Sequence, residues 1–143
     1  EDGAITHGKA LLLKIDQNDP EKPLSFHKFI DFNGGMSKFV VRRDEVSNKY
    51  ISLVNKVVDD SVPAQRNILS LAVSDDLENW RIVKDLIDAS DYSPEETGFQ
   101  YVDFIFDGDD IIYVSRTAFN HAHNFHDANY ITFYREKNFR TLL

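Results

Sequence analysis

The sequence predicts an all-β chain, on three observations. Apolar residues come in short runs, several of them alternating with polar ones, and no segment sustains the 3.6-residue period of a long helix. Aromatic residues make up 13% of the chain, with eleven Phe and six Tyr, and these types fit the half-buried surface of a sheet. Turn chemistry recurs between the runs, at Asp19-Pro20, Gly34-Gly35, Ser47-Asn48, Asp75–Asn79 and Gly108-Asp109.

Taken in order, the runs predict strands at Ala10–Ile15, Ser25–Phe32, Lys38–Arg43, Tyr50–Val57, Asn67–Ser74, Arg81–Ile87, Gln100–Phe106, Ile111–Ala118 and Tyr130–Glu136. Phe39 and Val41 alternate with Lys38, Val40 and Arg42, the pattern of a strand with one wet face. Tyr101–Phe106 is more continuously apolar, which suits a strand buried on both faces. Asp88–Thr97 supports at most a helical turn or two around Ser93-Pro94-Glu95-Glu96. There Ser93 is suited to cap and Pro94 to the first helical position.

Composition narrows the function classes. The chain has 143 residues, enough for one domain with a real core. Its net charge of −8 works against non-specific nucleic-acid binding and against an anionic membrane surface. No apolar run approaches the ~18 residues that span a bilayer. With no cysteine, disulfides and thiolate metal sites are excluded, while the compartment stays open. No signal peptide is visible, and a start at Glu1 is expected of a processed or truncated product.

A faint repeat organises the strands. Ser37-Lys-Phe-Val-Val-Arg-Arg-Asp44 and Gln100-Tyr-Val-Asp-Phe-Ile-Phe-Asp107 are both strands that end in an Asp-led turn, 63 residues apart, and each leads directly into a second strand. Two hairpins in series, each opening a larger unit, suggest a partial β-propeller. About two to three blades of four antiparallel strands are expected. Residues 1–33 would form the outer strands of one blade, 34–88 a full blade and 89–143 most of another.

The most concentrated chemistry is His121-Ala-His123-Asn-Phe-His126-Asp127-Ala-Asn129, with three of the five histidines. His-x-His puts two imidazoles on one side of an extended segment. His126 and Asp127 would then complete a nitrogen/oxygen shell for a divalent metal. Two other readings stand beside that one: substrate contact with acid–base work near neutral pH, and a hydrogen-bonded structural loop.

Ser74-Asp-Asp76-Leu77-Glu-Asn79-Trp80 resembles the Ser-x-Asp-Leu-x-x-Trp turn of propeller glycosidases. It is also similar to a shortened Asp-box, the BNR-type repeat of sialidases, without its Gly and one spacer. In such a turn Asp and Ser accept backbone N–H bonds and the Trp plugs the gap between adjacent sheets, a structural role. Further pieces resemble a group of bacterial sialidase-like proteins: Ser37-Lys-Phe, Tyr50–Asn55, Arg66-Asn67-Ile-Leu, Gly98–Asp103, Phe106–Ile112, Ser115–Ala118 and His123–Tyr130. Members of that group are longer, so the resemblance implies that this chain matches their C-terminal portion. It also suggests a secreted or periplasmic location.

In the geometry of such propellers, the loop entering the innermost strand and the loop between the second and third strands share the active face. That puts Val58–Arg66, Asp88–Phe99 and Phe119–Asn129 on one side, with His7 beside them, and Asp75–Trp80 opposite. The implied function is a glycoside hydrolase acting on a polysaccharide or glycoconjugate, with a glycan as partner and no obligatory cofactor. Asp103, His123, His126 and Asp127 are the catalytic candidates; Arg66, Gln100, Arg116, His121 and Asn129 are the substrate-binding ones. Arg66 suits a carboxylate or sulfate, or else pairs with Asp59 or Asp60. Arg116 is expected to pair with an acid such as Asp103. Glu95 and Glu96 are further loop candidates, while Lys38, Arg42 and Arg43 read as solvent-facing. Hydrolysis usually needs two carboxyl groups, or the Tyr nucleophile of sialidases. The alternatives are a polysaccharide lyase using His, Tyr and Arg, and a non-catalytic glycan-binding module that self-associates through exposed blade edges.

Overall fold

The computed structural model describes residues 7–143. Among these residues nine strands form three antiparallel sheets of two, four and three strands. The first sheet pairs β1 (Lys9–Lys14) with β2 (Ser25–Asp31). The second runs β3 (Val41–Asp44), β4 (Lys49–Asn55), β5 (Ile68–Ser74) and β6 (Trp80–Asp88) in spatial order. The third runs β7 (Gly98–Asp107), β8 (Asp110–Ala118) and β9 (Tyr130–Glu136). One 3-10 turn, Phe139–Leu142, ends the chain. All nine expected strands are present, and only the middle sheet has four.

The sheets stack through apolar faces, with the second in the middle. Ile51, Leu53, Leu69, Leu71 and Val73 meet Phe99, Val102, Phe104, Ile111, Tyr113 and Phe139 on one side of it. Val54 and Ala72 meet Ile30, Phe32, Leu12 and Trp80 on the other. The strand buried on both faces is therefore β5, every residue of which is buried. The expectation for Tyr101–Phe106 is corrected: β7 buries one face only, and Ile105 is 54% exposed on the other. Among the described residues the third sheet ends the stack, so its outer face has no neighbour.

Local chemistry explains the turns. Ser74 Oγ accepts the N–H groups of Asp76 and Leu77 at 3.2 and 2.9 Å, and Asp76 Oδ1 accepts those of Glu78 and Asn79, both at 2.8 Å. The bonds from Asn79, followed by that from Glu78, hold the Asp76 carboxyl well below the usual carboxylate range. Trp80 donates its indole N–H to the Leu77 carbonyl at 2.9 Å and packs edge-on against Phe32, 5.1 Å away, filling the seam between the first two sheets. Gly34-Gly35 carries the chain between those sheets. A β-carbon on Gly35 would collide with the Lys9 carbonyl, which explains why the position has none. The Ser93 segment forms a single turn, closed by Thr97 N–H to the Ser93 carbonyl at 3.0 Å.

At the end of the stack that carries the Asp44 turn, one arginine joins two hairpins. Arg140 donates to both carboxylate oxygens of buried Asp44 at 2.8 Å, and to the Gly108 carbonyl and Asp109 at 3.0 and 2.8 Å. It thus clips the β3–β4 turn to the β7–β8 turn.

Candidate functional site

The segments joining β4 to β5, β6 to β7 and β8 to β9 meet at the other end. Three buried polar residues bring them together. Gln65 accepts the N–H groups of Val58 and Asp59 on its side-chain oxygen and shapes the first segment. Asn55 donates to the Phe99 carbonyl at 2.6 Å and ties the second sheet to the third. Gln100, fully buried, donates to the carbonyls of Phe125 and His126 at 2.6 and 3.2 Å and accepts from Arg66. Backbone bonds add to this: Phe99 N–H to the Arg66 carbonyl at 2.8 Å, and Phe125 N–H to the Glu95 carbonyl at 2.7 Å.

On this base stands a cluster around Tyr101. A β-bulge sets Tyr101 and Val102 against the single residue Ser115, between the pairs Gln100–Arg116 and Asp103–Val114. Tyr101 takes φ +53°, a left-handed conformation that is rare for an aromatic residue. The guanidinium of Arg66 lies 5.7 Å from the Tyr101 ring centre and 5.1 Å from that of Phe125, and that of Arg116 lies 5.2 Å from Tyr101. Tyr101 Oη is 3.3 Å from His126 Nε2, and the two rings meet edge to face at 6.0 Å.

Both arginines lack a carboxylate partner among the described residues, whereas Arg42, Arg43, Arg135 and Arg140 each have one. Arg66 was expected to bind a ligand or to pair with Asp59 or Asp60. Those acids bond Ser61 and His7 instead. Arg66 Nε is buried without a hydrogen-bond partner among the described residues. His7 does lie beside the first of the three segments, 2.9 Å from Asp60.

Several sequence expectations are corrected here. Asp103 pairs with Arg42 at 3.0 Å, not with Arg116, which stands opposite Gln100. Arg42 is therefore not simply solvent-facing; it also lies over the Phe104 ring at 5.6 Å. Its guanidinium holds the Asp103 carboxyl below the ordinary range. Gln100, expected as a substrate contact, has 0% exposure and acts as a positioning residue for Arg66 and the histidine loop. Asn129 clamps the loop's base through two bonds to the Phe119 backbone, at 3.1 and 2.7 Å.

The three imidazoles separate. Asn120 and His121 adopt φ +51° and +70°, so the segment is not extended and His121 and His123 do not align. His123 Nδ1 donates to Asp127 Oδ2 at 2.9 Å, which keeps the Asp127 carboxyl low. Asn124 Oδ1 accepts the N–H groups of His126 and Asp127 at 2.8 and 3.1 Å, an Asx-type turn that aims His126 toward Tyr101. No three His, Asp or Glu side chains among the described residues converge as a metal shell. Glu95 and Glu96 are exposed, and Glu95 contributes its carbonyl rather than its carboxylate.

Sequence reasoning missed Tyr101. It sits inside a continuous apolar run, and no residue signal announces the bulge that exposes it. No family model, no curated protein and no solved structure matches this chain.

Proposed function

We propose that this chain is part of a carbohydrate-active, sialidase-like β-propeller that cleaves glycosidic bonds in a glycan carrying acidic groups. Support for the propeller comes from three antiparallel sheets stacked by their apolar faces, with consecutive strands as neighbours in each. The observation that carries the functional reading is the pair Arg66 and Arg116. In a chain of net charge −8, two arginines with no carboxylate partner among the described residues flank one exposed aromatic ring beside an imidazole. Guanidinium groups suit carboxylate or sulfate oxygens, and an aromatic ring suits the apolar face of a sugar.

Of the carboxyl candidates, Asp103 is tied to Arg42 and Asp127 to His123, and the exposed Glu95 carboxylate bonds no residue of the cluster among the described residues. Hydrolysis here would therefore draw on a tyrosine, as in sialidase-type chemistry.

The test compares acidic and neutral oligosaccharides as ligands. An acidic ligand at 100 times its Kd should stabilise the fold by about 2.7 kcal/mol, and the Arg66→Gln/Arg116→Gln double variant should lose that stabilisation. Equal response to neutral glycans, or none to acidic ones, would remove the proposal.

A further inference from the structure

The cluster contains more than an anion site. Tyr101 Oη and His126 Nε2 stand 3.3 Å apart, so one proton can pass between them. The backbone of Tyr101 is held in a left-handed conformation that is strained for a residue with a side chain. Strain of that kind persists where the surroundings over-determine it, here through Gln100, Arg66 and the histidine loop. A phenol, an imidazole and two guanidiniums meet with no carboxylate among them that bonds either arginine.

We propose that Tyr101 and His126 are the proton-transfer pair of a β-elimination on a uronate-containing glycan, with Arg66 and Arg116 holding the uronate carboxylate. The proposal rests on the acidic-glycan reading and gives it a substrate class and a reaction.

The chemistry balances without water or an oxidant. The two guanidiniums neutralise the carboxylate, which makes the hydrogen on the adjacent C5 removable. His126 Nε2, as neutral imidazole, takes that proton. The electron pair left on C5 forms the C4=C5 double bond as the C4–O4 bond breaks, and its electrons go to O4. Tyr101 Oη gives its proton to O4, so the departing chain leaves as a neutral hydroxyl. The resulting phenolate then recovers a proton from the His126 imidazolium across their contact, and both residues return to their starting forms. Arg66 and Arg116 also face the negative charge that spreads onto the carboxylate during the step. Asp127, the nearest carboxylate on the loop, is engaged by His123 and leaves His126 free to act as base.

The experiment incubates the chain with polyuronates and with a neutral polysaccharide, reading new reducing ends and the ultraviolet absorbance of an unsaturated uronate together. Elimination predicts that both signals rise in step on polyuronate. Tyr101→Phe keeps the ring that the arginines pack on, and His126→Gln keeps a polar side chain. Each should lower the rate by about 100-fold or more while polyuronate binding persists. Arg66→Gln and Arg116→Gln should lose binding. Reducing ends without ultraviolet absorbance, or binding without either product, would sink the elimination and leave the acidic-glycan reading standing. Failure to bind any acidic glycan would sink that reading itself. A second readout is independent of turnover: the NMR signals of the His126 ring protons at constant pH should move in Tyr101→Phe, because the two side chains touch. Unmoved signals would show that the two groups are not in contact.

Discussion

Tyr101 is where the local rules of the sheet are broken. An aromatic residue at φ +53° disfavours its own backbone, and only glycine takes that conformation without steric cost. Substituting small residues isolates the backbone term from the ring's contacts. Tyr101→Gly should be more stable than Tyr101→Ala by about 1 kcal/mol, measured by denaturant unfolding; the reverse order, usual for a strand interior, would mean that the bulge relaxes. The histidines carry the opposite lesson. Their spacing in sequence suggested a shared metal, yet two left-handed residues and an Asx-type turn send His123 to Asp127 and His126 to Tyr101. A spacing argument assumes a regular backbone, and this loop does not have one.

At the scale of elements, the strands were largely legible and their partners were not. Alternation and turn residues located all nine strands, because the side-chain period and the breakers are local properties. The β3 expectation, Lys38–Arg43, shortened to Val41–Asp44 and shifted, since its pairing is set by β4. Arg66 and Gln100 were legible as residues of one site, but the internal role of Gln100 was not, because burial depends on which sheets stack. The Arg42–Asp103 pair joins strands in different sheets and has no sequence signal. Asp44 gives a testable element-scale effect. Arg140, followed by bonds from Ser47, depresses its carboxyl far below the ordinary range. Its folded-state affinity for a proton is lower than that of the unfolded chain. The stability it contributes is therefore complete above the unfolded pKa near ~4 and is lost as pH falls through the folded value. Arg140→Ala should cost about 3 kcal/mol at neutral pH. Asp44→Asn should be destabilised at neutral pH and should lose less stability than the wild type on acidification, both read from urea midpoints.

As a whole, the described residues form a stack whose two outer sheets each leave one face uncovered. Leu11, Leu13, Phe26 and Phe29 line the outer face of the first sheet, with Phe29 67% exposed. Ile105, Val114, Ile131 and Phe133 line the outer face of the third, with Ile131 74% exposed. Apolar faces of this kind are the ones the three sheets use to pack on one another, so each end offers the surface on which a further sheet would sit. The sequence led us to expect association through strand edges; the exposed apolar residues of the two outer sheets add a second surface, on their faces. The 143-residue chain should therefore self-associate as concentration rises, and Phe29→Lys with Ile131→Lys should return it to monomer, as measured by light scattering. A wild-type chain that stays monodisperse would count against it.

The Arg140 clip has a consequence in time as well as in space. Asp44 and Arg140 stand 96 residues apart in the chain. During synthesis both hairpins emerge before the guanidinium that joins them, and Asp44 waits in water, where its charge is welcome. The last turn then acts as a latch dropped onto parts already made. Such a contact does little to guide the nascent chain and much to slow its escape once folded, so its role belongs to the lifetime of the native state.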